Sequence, residues 1–459
     1  MHRLKIVAGL LLALLLPAGA AFAQPDTGNA DFTRYVAFGD SLTAGFSSGS
    51  LNRRFQVNSY PALIYRQATG RSAGFEQPLI SEPGLAPVLQ LVNLRPLTIR
   101  PVSNQGGSLI NPLGPPNNNI AVPGATLSDL LRKTRSTSNM DPTDLVLRQL
   151  GFTQLQQGLS VQPTFATLWI GNNDVLAAAT SGRVIEGVTI TPVAQFEADY
   201  RAVVAAIAQT GAEMAIANIP NVTSIPFVTT VSRFVVNPAT NQPVLVGGNP
   251  VPLIGPNGPL QQGDFVLLTA SGELAQGNGL PPGIPGASGR PLSDAAVLSA
   301  AEVAIIQARV AAYNNIIRTV ANERNAAFVD ANAVLSDLAA RGLRVGGITF
   351  TSAFLTGGVF SYDGVHPTPF GYAYIANQFI EAINDKYEAE IPLVNLYPFI
   401  FGTATSSLSA GLEGGKAASG NSLIFTREAG RNLQLSLGVP QWVVDGQPAP
   451  RRPRRGNRG

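Results

Sequence analysis

The chain has no cysteine among its 459 residues. That excludes disulfide bridges, thiolate metal sites and a cysteine nucleophile. Histidine is almost as scarce, with His2 and His366 the only two. Charged residues make up 13% and aromatic residues 7%, against 45% hydrophobic residues. So little charge excludes a disordered, solvating chain, and the length permits a large buried core. Beyond the N-terminus no apolar run reaches the roughly 20 residues that a membrane helix needs.

Net positive charge is missing from the body of the chain. The formal net charge is +3, but two basic residues lie before residue 24 and five arginines lie between Arg451 and Arg458. Residues 24–445 therefore hold 24 basic against 28 acidic residues, a balance of −4. A mildly acidic body argues against a nucleic-acid groove. The arginine tail reads either as a solvated end or as a weak contact for an anionic membrane surface.

The N-terminus reads as an export signal. Arg3 and Lys5 precede the apolar run from Ile6 to Leu16, and Ala21-Phe22-Ala23 supplies small residues for cleavage before Gln24. A retained anchor is the competing reading of the same run. With a signal over 1–23, the rest of the chain is expected in the periplasm or outside the cell.

Arg34 to Phe38, Thr164 to Ile170, Ala212 to Ala217 and Ala327 to Val329 have the apolar content of buried strands. Helical patterns separate them. Thr191 is expected to cap a helix with Pro192 at its first position, and Ser299 with Glu302 forms a capping box for a long helix to about Asn322. A last amphipathic helix runs from Phe370 to Tyr387. Alternating strands and helices predict an α/β fold with a mainly parallel sheet, whose ligand sits beyond the carboxyl ends of the strands. Residues 46–118 and 219–292, dense in Gly and Pro, read as two large loop insertions into a domain spanning 24–390. Residues 391–459 read as a Gly- and Ser-rich appendage with strand-like pieces such as Leu423-Ile424-Phe425.

A serine hydroxyl becomes a nucleophile when a base takes its proton, and histidine is the usual base. If His2 leaves with the signal, His366 is the one candidate. Asp363, three residues earlier, can reach back to the imidazole and fix its tautomer. A developing oxyanion needs donors. The N–H of Ser41 at a strand-to-helix turn, the N–H of Gly124 before a helix, and the amide of Asn173 after a strand are candidates. A helix-entry glycine and a turn-forming asparagine would account for the last two equally well.

Four short blocks stand in order: Gly39-Asp40-Ser41-Leu42, Gly124 within AVPGAT, Gly171-Asn172-Asn173-Asp174, and Asp363-Gly364-Val365-His366. Together they resemble the GDSL, or SGNH, hydrolase superfamily. The resemblance covers about 33–220 and 295–388, and no block departs from the pattern at a functional position. It implies a flavodoxin-like three-layer α/β/α sandwich, Ser41 as nucleophile, His366 as base paired with Asp363, and Ser41, Gly124 and Asn173 around the oxyanion. No cofactor is expected.

Gly45-Phe46-Ser47-Ser48-Gly49 matches the G-x-S-x-G elbow of a different hydrolase fold, but no strand directly precedes it, which excludes Ser47 as nucleophile. Asp40 and Asp174 flank the site. They suit turns and helix starts better than a metal, and no metal is expected. The substrate stays open between a lipid or simple acyl ester and an acetylated glycan, with acyl transfer as a variant. A non-catalytic binding module is the remaining alternative. Ile225, Pro226, Phe227, Val228, Phe234, Phe265, Val266 and Leu267 form either an apolar wall for an acyl chain or a decoration packed on itself.

Overall fold

A computed structural model describes residues 25–94, 97–112, 114–137, 141–400 and 423–447. The expected signal at 1–23 and the arginine tail lie outside the described residues. Four short parallel strands form the centre: β1 (Tyr35–Gly39), β2 (Phe165–Trp169), β3 (Glu213–Ala217) and β4 (Ala327–Val329). They pair in the order β1-β2-β3-β4, with Tyr35 opposite Phe165 and Ala327 opposite Ala215. Along the free edge of β1, segment 118–122 extends the ladder. Ala37 N–H donates to Asn118 C=O at 2.8 Å, Ile120 N–H to Ala37 C=O at 3.2 Å, and Val122 N–H to Gly39 C=O at 3.2 Å. The spatial order 118–122, β1, β2, β3, β4 puts the topological switch point between β1 and β2, at their carboxyl ends.

The main helices are α1 (Ser41–Ala44), α2 (Tyr60–Thr69), α3 (Leu127–Arg132), α4 (Gln154–Ser160), α5 (Asn173–Ser181), α6 (Val193–Ala208), α7 (Ala300–Glu323), α8 (Pro369–Tyr387) and α9 (Arg427–Ser436). Strand side chains alternate between two faces. Tyr35, Ala37, Phe165, Trp169, Ala215 and Ala217 pack with α2 and α8 on one side. Val36, Phe38, Ala166, Leu168, Met214 and Ile216 share a core with α3, α4, α6 and α7 on the other. This is the parallel α/β sheet expected from the alternation of patterns, in the three-layer arrangement that the resemblance implies. On α7, Val303, Ile306, Val310, Tyr313, Ile317 and Val320 recur at helical spacing and are buried, below the expected Ser299–Glu302 capping box.

The structure corrects several expectations. Segment 46–118 is not all insertion, because it contains α2, a full layer-forming helix that packs on α8. Its apolar residues Tyr60, Leu63, Ile64 and Ala68 follow a helical period that the surrounding Gly and Pro obscure. Thr191 does not cap α6, which starts at Val193 with Pro192 as its cap residue. Within 219–292, Ile225, Pro226, Phe227, Val228, Val266 and Leu267 are buried, and Phe234 and Phe265 are half-buried.

The boundary at 390 also moves. Leu423–Phe425 adds a parallel strand to Leu97–Pro101, which itself pairs antiparallel with Leu89–Leu94. From α9 and the turn after it, Leu433, Leu437, Val439 and Val443 are buried. Each such side chain contributes roughly 1.5–3 kcal/mol relative to exposure, so residues 423–447 are docked on the domain. Among the described residues no helix is long and apolar enough to cross a membrane.

Candidate active site

The five residues singled out in the sequence lie on loops and helix starts beyond the carboxyl ends of the sheet. Ser41 opens α1 directly after β1. Asp40 caps that helix, accepting from Leu42 N–H at 3.0 Å. The turn needs Gly39, since a Cβ there would lie 2.0 Å from Thr43 Oγ1 and 2.6 Å from Trp169 C=O. Asn173 opens α5 shortly after β2. Gly124 follows the edge segment 118–122 at φ +79°, a left-handed conformation that favours glycine. Asp363 and His366 sit in the loop that leads into α8, whose first turn is capped by Thr368.

Ser41, His366 and Asp363 form a hydrogen-bonded chain. Ser41 Oγ lies 2.8 Å from His366 Nε2, and His366 Nδ1 lies 2.9 Å from Asp363 Oδ2. All three side chains are buried. Burial pushes the Asp363 carboxyl up, but the His366 charge and the hydrogen bonds it receives outweigh this and hold it below its ordinary value. An ionised carboxylate only accepts, so Nδ1 carries the proton and Nε2 is left to accept from Ser41 Oγ–H. The arrangement can draw a proton from the serine hydroxyl and stabilise the resulting imidazolium.

Asp363 is held from two directions. Its own loop donates from Val365 N–H at 2.9 Å, His366 N–H at 2.8 Å and Ser361 Oγ at 3.1 Å. The turn after α1 donates from Gly49 N–H at 2.7 Å. Ser361 Oγ in turn accepts from Ser48 N–H at 2.8 Å, and Ser47 Oγ donates to Pro367 C=O at 2.8 Å. Phe46 lies against the imidazole at a centroid distance of 4.7 Å, and its carbonyl accepts from Tyr372 Oη at 2.6 Å. The G-x-S-x-G segment is thus a cradle for the Asp–His loop, and the Ser47 hydroxyl is committed to a backbone carbonyl. Sequence reasoning missed this use. The available signal was a run of small residues, between two glycines, directly after the nucleophile block.

Asn173 Nδ2 donates to Ala125 C=O at 2.9 Å, while its Oδ1 is buried without a hydrogen-bond partner among the described residues. Nδ2 has two protons, so one remains for another acceptor. The neighbouring Asn172 had no role in the sequence reading. Its Nδ2 donates to Asp40 Oδ2 at 2.8 Å and ties the end of β2 to the turn holding Ser41.

Two further carboxyls are buried. Asp40 is pushed up to about 6 by burial, against the hydrogen bonds from Asn172 and Leu42. Asp174 is pushed up to about 7, again by burial, although it accepts from Leu127 N–H at 2.8 Å and Thr191 Oγ1 at 2.7 Å. The first bond joins α5 to the start of α3, near Gly124, and the second joins it to the segment that leads into α6. Among the described residues no group of three or more His, Asp or Glu could hold a metal ion.

The chain matches the model of the GDSL-like Lipase/Acylhydrolase family over residues 35–379, a span that contains all five residues. No curated protein matches it. Solved structures similar to it include an acetylxylan esterase from Geobacillus stearothermophilus, 13% identical with a TM-score of 0.33, over 78% of this chain and 97% of that one. A phospholipase A1 from Streptomyces albidoflavus is 14% identical with a TM-score of 0.31, over 77% and 98%. An extracellular lipase from Streptomyces rimosus is 16% identical with a TM-score of 0.30, over 77% and 98%. The extent of the family match, three quarters of the length with every block inside it, identifies the chain as a member of the GDSL-like lipase/acylhydrolase family.

Proposed function

We propose that this protein hydrolyses carboxylic esters through an acyl-enzyme on Ser41. The observation that carries the reading is the buried chain of hydrogen bonds from Ser41 Oγ through His366 to Asp363. Ser41 Oγ attacks the ester carbonyl carbon while His366 Nε2 takes its proton. The carbonyl oxygen becomes an anion and accepts from the N–H groups of Ser41 and Gly124 and from Asn173 Nδ2–H. The tetrahedral species collapses, the C–O bond to the alcohol breaks, and His366 returns the proton to the leaving oxygen. Water then enters, gives a proton to His366 and attacks the acyl carbon. As the second tetrahedral species collapses, the bond from the acyl carbon to Ser41 Oγ breaks and His366 returns the proton to Oγ, which releases the acid and restores Ser41. Asp363 stays ionised throughout and holds Nδ1–H.

The mechanism is tested by treating the chain with a fluorophosphonate and sequencing the labelled peptide by mass spectrometry. Label on Ser41, lost in His366→Ala, is expected. Label elsewhere, or none on folded protein, contradicts the mechanism.

Two finer points belong to the same reading. The substrate is a lipid or simple acyl ester, a choice supported by the scarcity of tryptophan, which a glycan-binding groove would use. Rates on a short-chain ester, a long-chain ester and acetylated xylan separate these substrates. Second, residues 1–23 direct export, so the mature chain begins at Gln24. Intact-mass analysis of the exported protein checks this, and a mass that retains the first 23 residues contradicts it.

A further inference from the structure

The C-terminal segment 423–447 lies beyond the stretch that matches the family, yet it reaches the candidate oxyanion donors. Its turn after α9 lies directly on Gly124. A Cβ on Gly124 would lie 2.6 Å from Ser436 C=O and 3.0 Å from Gly438 N, and a Cβ on Gly438 would lie 2.7 Å from Gly124 C=O. Both residues have left-handed backbones, with φ +79° at Gly124 and φ +78° at Gly438. The two backbones meet at a distance that only glycine on both sides allows.

The segment is anchored where such a contact needs support. Gln434 Nε2 donates to Thr180 C=O on α5, the helix that Asn173 opens, at 2.7 Å. Val439 and Val443 pack against Ala177 of the same helix. Phe425 N–H donates to Ser271 Oγ at 2.8 Å, and Thr426 N–H to Ile99 C=O at 3.1 Å. The segment therefore touches the Gly124 loop directly and the Asn173 helix from the side, while its other end is fixed to both inserted regions.

We propose that Gly438 is a positioning residue for the oxyanion site: its turn braces the Gly124 backbone so that the Gly124 N–H stays aimed at the reacting carbonyl. The proposal rests on the serine-ester reading above and adds an element outside the family match. It makes segment 423–447 part of the catalytic unit rather than an appendage. The contact involves only backbone and glycine, so it acts on the donor and leaves substrate binding to other surfaces.

The segment contains its own control. Gly446 also has a left-handed backbone, at φ +67°, but a Cβ there would meet nothing within 4 Å. Gly438→Ala and Gly446→Ala thus impose the same conformational cost, and only the first pushes on Gly124. Both full-length variants are assayed with p-nitrophenyl butyrate and with a trifluoromethyl ketone that forms a tetrahedral adduct on serine. For Gly438→Ala, kcat is expected to fall ~10- to 100-fold with KM changed less than about twofold, part of the loss seen on removing an oxyanion donor. Ketone affinity is expected to fall in parallel, and Gly446→Ala to behave as the parent. Equal effects of the two variants, or a Gly438→Ala loss confined to melting temperature, overturn the proposal. Should Gly438→Ala not fold, Gln434→Leu, which removes the anchor on α5, is expected to lower kcat at constant KM; an unchanged kcat in that variant overturns it as well. A parent chain that neither turns over ester nor binds the ketone overturns the serine mechanism and this inference together, an outcome distinct from all of these.

Discussion

Asp363 receives hydrogen bonds from Gly49, Ser361, Val365 and His366 backbone or hydroxyl donors, in addition to the imidazole. That set is what lets a fully buried carboxylate stay ionised below its ordinary range. A folded pKa depressed below the unfolded value of about 3.9 means that the group stabilises the fold above that value. The contribution disappears only as pH falls through the folded pKa, so titration of Asp363 does not limit activity near neutrality. Asp363→Asn removes the charge and allows the wrong imidazole tautomer, and kcat is expected to drop roughly 10⁴-fold. Ser361→Ala removes one donor and frees Ser48 N–H. A loss of about tenfold in kcat at constant KM is expected, the worth of one hydrogen bond, with Ser361→Thr restoring most of it. Parent-like kcat in Ser361→Ala would show that the other donors suffice.

At the scale of elements, the site is a meeting of helix starts and turns held together by buried carboxyls. Asp174 joins α5 to the first residue of α3, and Asp40 joins the turn of α1 to the end of β2. Unfolded, both release their protons near 3.9; folded, they hold them up to about 7 and about 6. In between, the folded state binds more protons, so stability declines as pH rises from about 4 to 7 and levels off above. For Asp174 the decline is at most about 4 kcal/mol. Asp174→Asn keeps an acceptor for Leu127 N–H without the charge. Its melting temperature is expected to fall less between pH 5 and 8 than that of the parent. Parallel melting curves would show that Asp174 is already ionised at pH 5.

Much of this layout was legible before any coordinates, and the reason is local. Ser41, Asn173 and Gly124 each stand at the junction of an apolar run and a turn, and His366 is one of only two histidines in the sequence. The four strands announced themselves by apolar runs of about the right length. What escaped was non-local or diluted. Helix α2 lies in a stretch whose Gly, Pro and Asn content hides its period. The cradle around Asp363 joins residues more than 300 positions apart, a pairing that no local pattern encodes. Thr191 was read as a helix cap because Pro192 follows it, whereas its hydroxyl instead serves Asp174.

For the whole molecule, the parallel sheet and its two helix layers form a platform, and regions from distant parts of the chain converge on its carboxyl edge. The second insertion touches the Asp363–His366 loop through Phe227 N–H, which donates to Gly364 C=O at 2.9 Å. The C-terminal segment touches the loop of Gly124. Its docking could not be read from sequence, because a three-residue strand and a ten-residue helix acquire meaning only from the surfaces they cover. The measurement that bears most directly on the central claim is hydrolysis of p-nitrophenyl esters from acetate to palmitate by the chain and by Ser41→Ala. Turnover is expected to fall roughly 10⁶-fold in the variant, with chain length setting the maximum. Equal rates in both proteins, or none in either despite native folding, would contradict it.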